Sequence, residues 1–181
     1  MKKRIIALGL LWCLSAVMLQ AARVDTVLVR SAAMNKDVKV VYVLPDKAIG
    51  KQACPVVYLL HGYGGNARSW VQLKPELPQM ADEKGIIFVC PDGKNSWYWD
   101  SPENPAYRYE TFVTSELVKY TDGNYATIPD RKARAISGLS MGGHGALWSA
   151  IRHKDVFGAA GSMSGGVDIR PFPQNWEMNK Q

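Results

Sequence analysis

Arg134-Ala135-Ile136-Ser137-Gly138-Leu139-Ser140-Met141-Gly142-Gly143-His144-Gly145 changes character in its middle. Its first part is short, apolar and strand-like. Its last part opens a helical pattern, with Leu147, Ala150 and Ile151 on one face of Gly143 to His153. Between them, Gly138-Leu139-Ser140-Met141-Gly142 fits G-x-S-x-G in a strand–turn–helix frame. In that frame a serine stands at the apex of a sharp, strained turn with positive φ. Side chains two residues to either side would collide, so Gly138 and Gly142 are bare. The following helix aims its free N–H groups at the serine oxygen. Ser140 is the candidate nucleophile; the alternative reading of the pentapeptide is a glycine-rich connector.

Outward from this point the chain alternates strands and helices. Thr26 to Arg30 and Val38 to Leu44 read as strands around the turn Asn35-Lys36-Asp37. Pro55 to Leu60 and Gly85 to Cys90 are continuous apolar runs that stop at His61-Gly62 and at Pro91-Asp92-Gly93. Phe157 to Ser162 leads into Ser164-Gly165-Gly166. Short strands that are apolar on both faces belong to a parallel sheet covered by helices. Tyr109 to Tyr120 supplies one helix, with 109, 112, 113, 117 and 120 in a stripe. The expected fold class is α/β, a mostly parallel sheet flanked by helices, in one domain over 23–181.

The 181 residues are 47% hydrophobic and 21% charged, the balance of an ordinary globular domain. The formal charge of +6 is uneven. Residues 1–22 hold Lys2, Lys3 and Arg4 and no acid; past them, 19 bases face 16 acids. No basic run reaches five, so nucleic acid is not an expected partner. Ile5 to Leu19 is apolar but, at about 22 Å as a helix, shorter than the roughly 30 Å hydrocarbon core. With Ala21 and Ala22 behind it, 1–22 reads as a signal peptide, with an uncleaved anchor as the alternative. The expectation is export, periplasmic or secreted, without stable membrane insertion. Cys13 falls in the removed segment. Cys54 and Cys90 sit at opposite ends of neighbouring parallel strands, too far apart for a bridge, so both read as buried free thiols.

A second glycine cluster, His61-Gly62-Tyr63-Gly64-Gly65, follows the third strand. Gly62, Gly64 and Gly65 let backbone face a developing negative charge. The Tyr63 and Met141 amides are the candidate oxyanion donors, and an ordinary turn is the alternative. His61, at the strand end, reads as a structural hydrogen-bonding residue. Beyond Cys90, Trp97, Tyr98, Trp99 and Asp100 lie where open α/β sheets bind ligands. They could contact a sugar ring or phenolic acyl group, or pack as a lid, and Asp100 reads first as loop structure. Three scattered histidines and two separated cysteines make no metal set, and no cofactor is expected.

The blocks Leu59-Leu60-His61-Gly62-Tyr63, Gly138-Leu139-Ser140-Met141-Gly142-Gly143, Phe157-Gly158 and Ser164-Gly165-Gly166 resemble the esterase D-type branch of the α/β-hydrolases. That branch holds S-formylglutathione hydrolases, feruloyl and acetyl-xylan esterases, tributyrin-type esterases and mycolyltransferases. The resemblance runs from about residue 26 to the end. It implies an α/β-hydrolase fold and a serine carboxylic-ester hydrolase working through an acyl-enzyme. Ser140 would be its nucleophile, Tyr63 and Met141 its oxyanion donors, and a small-molecule or polysaccharide ester its substrate. An acyltransferase of the same fold is a neighbouring reading. The family orders its triad Ser, acid, His. Here only 41 residues follow Ser140, and neither Asp155 nor Asp168 has a later histidine. The chain therefore looks like the N-terminal two thirds of such an esterase, truncated after the sixth strand and impaired by itself. A catalytically dead ester- or glycan-binding protein is the reading from another class. The oligomeric state is left open.

Overall fold

The computed structural model describes residues 22–168 and 170. Six strands form one sheet in the order β1-β2-β4-β3-β5-β6. They are β1 Arg23–Ser31, β2 Lys36–Leu44, β3 Val56–Leu60, β4 Ile87–Pro91, β5 Arg134–Leu139 and β6 Ala159–Met163. β1 and β2 form a hairpin, β2 pairs antiparallel with β4, and β4, β3, β5 and β6 run parallel. The expected mostly parallel sheet is therefore present, with an antiparallel hairpin at one side.

Side chains alternate across the pleat and build two cores. On one face lie Val40, Tyr42, Val56, Tyr58, Leu60, Ile87, Val89 and Ile136. On the other lie Val41, Val43, Leu59, Phe88 and Cys90. The first face is covered by α4 Tyr109–Thr111, a π-turn Phe112–Glu116, α5 Leu117–Asn124 and α6 Met141–Arg152. The second is covered by α2 Ser69–Leu73, through Trp70, and α3 Leu77–Lys84, through Leu77 and Ala81. A short α1, Asp46–Ile49, follows β2. Burial on both faces explains why β3 and β4 read as unbroken apolar runs. Cys54 and Cys90 are buried free thiols, and burial pushes both thiols up.

Two departures from the sequence pattern have local causes. α2 and α3 give no clear stripe, because α2 has five residues and α3 carries Pro78 in its first turn. The single helix expected over 109–120 holds a π-turn, which inserts a residue and widens the buried face. Thr114 and Thr121 thereby join Phe112, Val113, Leu117 and Val118 inside. Among the described residues β1 and β6 are the two sheet edges, and β6 is the least buried of the parallel strands. No helix among the described residues is long and apolar enough to cross a membrane. The signal-peptide reading falls on residues 1–21, outside those described, and on Ala22.

Candidate active site

Ser140 links β5 to α6 with φ 53° and ψ −115°, and its side chain is exposed. Space forces this turn. A Cβ on Gly138 would lie 2.2 Å from the Gly142 carbonyl oxygen, and one on Gly142 would lie 2.2 Å from that of Leu60. The apex is fastened sideways: the Ser140 N–H donates to the Met163 carbonyl of β6 at 2.8 Å. The Ser140 carbonyl accepts from the His144 N–H at 3.0 Å, starting the helical ladder. Met141 is the first residue of α6, so its N–H is among the amides for which the helix has no carbonyl. The Met141 side chain is fully buried, leaving its backbone to face the turn.

The 61–65 loop runs against this apex. A Cβ on Gly62 would sit 3.6 Å from Ser140 Cβ. The Gly65 N–H donates to the Gly62 carbonyl at 3.0 Å, which closes a tight turn around Tyr63 and Gly64. Gly64 has φ +75° with nothing near its missing side chain. Tyr63 is 50% exposed. An open depression of about 460 Å³ lies alongside, lined by Tyr63, Leu73, Leu139, Ser69 and Gln72 together with Gly62 and Gly65.

None of the three histidine side chains is hydrogen-bonded to Ser140. His61 is 2% exposed. Its Nδ1 donates to the Gly62 carbonyl at 2.7 Å and its Nε2 accepts the Gly93 N–H at 2.9 Å. This is the neutral tautomer protonated at Nδ1; the Asp92 carboxylate is 3.7 Å from Nε2. His144 donates from Nδ1 to the Gly166 carbonyl at 2.8 Å, while Nε2 is buried without a partner. Its ring lies stacked on Trp148 and edge-on to Trp97. Burial pushes the His144 imidazole below its ordinary value, against the Gly166 carbonyl. His153 follows the last residue of α6, about 18 Å of helix away, with its Nε2 on Glu110 at 2.8 Å.

The aromatic segment is not where a substrate could lie against it. Trp97 is 4% exposed and Tyr98 is fully buried, both in the core under α6. Trp99 is half-buried, edge-on to Trp148. The Asp100 carboxylate accepts from the Thr111 N–H at 3.0 Å and the Thr111 hydroxyl at 2.5 Å, tying the loop to α4. Packing and loop structure thus replace the substrate role for Trp97, Tyr98 and Asp100. The physical reason is that Gly93 and Gly145 leave a slot that the Tyr98 ring fills. Leu73, 62% exposed in the depression beside Tyr63, gave no signal in the sequence, since α2 is too short to show a period. No group of three His, Cys, Asp or Glu side chains among the described residues could hold a metal ion.

Residues 31–181 match the family described as "Putative esterase". The chain is 28% identical over 135 residues to the acetyl esterase of Caldicellulosiruptor saccharolyticus, covering 70% of this chain and 50% of that one. It is 34% identical over 155 residues to the diacylglycerol acyltransferase/mycolyltransferase Ag85A of Mycobacterium gordonae, covering 80% and 43%. A solved ferulic acid esterase superposes with TM-score 0.72 at 31% identity, covering 88% and 65%. The chain thus spans about half the length of the curated relatives it matches.

Proposed function

Because the chain belongs to the esterase family and has the α/β-hydrolase fold, we propose that it carries the acyl-transfer site of a serine carboxylic-ester hydrolase. The observation that carries this reading is the exposed Ser140 at positive φ with the Gly62–Tyr63 loop against it. Ser140 Oγ attacks the ester carbonyl. The Tyr63 and Met141 amides hold the oxyanion, the alcohol leaves, and water releases the acyl group. The acyl group or alcohol lies in the depression between Tyr63 and Leu73. The names of the relatives support acetyl or feruloyl esters as the substrate class. The likeness to Ag85A favours a second reading, in which a hydroxyl of an acceptor replaces water.

With His61, His144 and His153 all committed elsewhere, this chain's own residues supply the nucleophile and the oxyanion donors but no histidine base. Such sites retain about 10³–10⁴-fold catalysis over water from the oxyanion hole and binding. Turnover of p-nitrophenyl acetate and covalent labelling by a fluorophosphonate test the reading. Both are expected for the wild-type chain and lost in Ser140→Ala. Absence of both labelling and Ser140-dependent turnover in the wild-type chain would leave the ester- or glycan-binding reading.

Export is part of the proposal, supported by Lys2 to Arg4, the apolar run Ile5 to Leu19 and the alanines after it. Ala22 is buried, and its N–H donates to Asp82 Oδ2 at 2.7 Å. Cleavage between Ala21 and Ala22 would put an ammonium on that same carboxylate. N-terminal sequencing of the exported protein should begin near Ala22 or Arg23; a start at Met1 overturns export.

A further inference from the structure

Resting on the esterase reading above, we propose that the segment Asp92–Tyr98 is a brace for the oxyanion loop. Tyr98 and Asn95 are its positioning residues, acting through His61 and Gly64. Three residues of this segment make four hydrogen bonds to the loop. The Tyr98 hydroxyl accepts the His61 N–H at 3.0 Å and lies 3.3 Å from the His61 carbonyl, to which it donates. The Gly93 N–H donates to His61 Nε2 at 2.9 Å. Asn95 Oδ1 accepts the Gly64 N–H at 2.8 Å. The tethers bracket Tyr63, one on each side.

The bond to Nε2 sets the peptide that matters. With Nε2 accepting, Nδ1 carries the hydrogen and donates it to the Gly62 carbonyl. In a trans peptide the next N–H points opposite to the carbonyl. The Gly62 carbonyl faces the buried ring, so the Tyr63 N–H points away from it, and the loop at Gly62 lies against Ser140, a Cβ there coming 3.6 Å from the serine Cβ. β3 ends at Leu60, and the loop beyond it is held both by its own Gly65 to Gly62 bond and by this outside contact.

The brace itself is held in a costly conformation. Lys94, Trp97 and Tyr98 have φ of 49°, 57° and 61°, a region that non-glycine residues avoid. Such backbone persists only where the surroundings over-determine it. Here Ser96 Oγ donates to the Gly93 carbonyl at 2.6 Å and accepts the Tyr98 N–H at 3.1 Å. The Tyr98 ring is wedged so tightly that a Cβ would come within 2.2 Å of it from Gly93 and 2.6 Å from Gly145. Gly145 is on α6, so one ring indexes the oxyanion loop against the helix that begins at Met141. Burial holds the phenol well above its ordinary pKa, which keeps its hydrogen available to the His61 carbonyl.

Tyr98→Phe keeps the ring and removes both hydroxyl bonds. Asn95→Ala removes the Gly64 tether, and Asn95→Asp restores an acceptor of the same size. The expected result is a fall in kcat for p-nitrophenyl acetate of about 10–100-fold in Tyr98→Phe and in Asn95→Ala, with KM within about twofold. Asn95→Asp should recover most of the loss. Amide hydrogen exchange should quicken at Gly62–Gly65 in both loss variants and stay unchanged along β3. Unchanged exchange in the loop, or a loss confined to KM, overturns the brace. If the wild-type chain shows no Ser140-dependent turnover, the esterase reading falls, and loop exchange alone decides the brace.

Discussion

The turn at Ser140 and the loop at Tyr63 flank the same candidate reaction centre, and they are built in opposite ways. The turn is backbone packed on backbone. A Cβ on Gly138 would strike the Gly142 carbonyl oxygen at 2.2 Å, one on Gly142 would strike that of Leu60 at 2.2 Å, and the helix starts from the Ser140 carbonyl. The loop borrows its geometry from a segment some thirty residues away, through Gly93, Asn95 and Tyr98. A site can thus join a motif shaped by close backbone packing to one held by hydrogen bonds from a distant segment, and glycine serves the two for different reasons.

Glycine substitutions break that comparison most sharply. Gly142→Ala drives a methyl group into the Leu60 and His61 carbonyls, neither of which can move without disturbing β3. The expected loss is at least about 3 kcal/mol, read as a shift in the urea midpoint at constant slope. A neutral result would mean that the turn is not dictated by space. Glu110→Gln comes next and probes the far end of the same helix. Glu110 is 7% exposed and accepts from Trp148 Nε1 and Arg152 Nε at 2.7 Å and from His153 Nε2 at 2.8 Å. Burial pushes its carboxyl up, but the bonds from Arg152, Trp148 and His153 outweigh this and hold it below the ordinary 4.5.

The sign follows from linkage. A carboxyl depressed in the folded state stabilises fully above its unfolded pKa and loses that contribution as pH falls through the folded value. Glu110→Gln should therefore cost about 2 kcal/mol at pH 7, less than a fully buried pair because Arg152 is 54% exposed. The gap between variant and wild type should shrink as pH is lowered below 4.5. Urea titrations of both proteins at several pH values would show it, and a gap independent of pH would remove the ionic account. Gly64→Ala should have the smallest effect. Nothing crowds the added methyl, so only the φ of +75° opposes it, for about 1 kcal/mol. An effect as large as that of Gly142→Ala would show that the loop too is set by packing.

The same contrast explains what could be read in the sequence. Gly138 to Gly142 announced a strand–turn–helix because the contact of Gly138 with Gly142 lies within five residues, while the Leu60 and His61 carbonyls that also confine Gly142 left no local mark. β3 and β4 were legible as apolar runs because both their faces are covered. His61 was readable as a hydrogen-bonding residue, but its partners at Gly93 and Tyr98 were not, since nothing in either segment points to the other. Trp97-Tyr98-Trp99 invited a substrate role because aromatic residues look alike whether they stack on a ligand or wedge between glycines. The slot that decides it is made by Gly93 and Gly145, more than fifty residues apart. The π-turn at Phe112–Glu116 left no mark, because one inserted residue shifts the apolar stripe without erasing it.

The bond from the Ser140 N–H to the Met163 carbonyl gives the apex an uneven anchorage. β5, on one side of it, is gripped by β3 and covered by α6, whereas β6 is mostly exposed along its length. Local opening begins where the least apolar surface is covered, at a lower free energy than global unfolding. Ser140 is therefore shared between a covered strand and one that is exposed among the described residues. On warming, the apex should slacken with β6 while the cores around Tyr58 and Phe88 remain closed. Heat inactivation would then precede melting, and the temperature at which function fails would report on one strand, not on the fold.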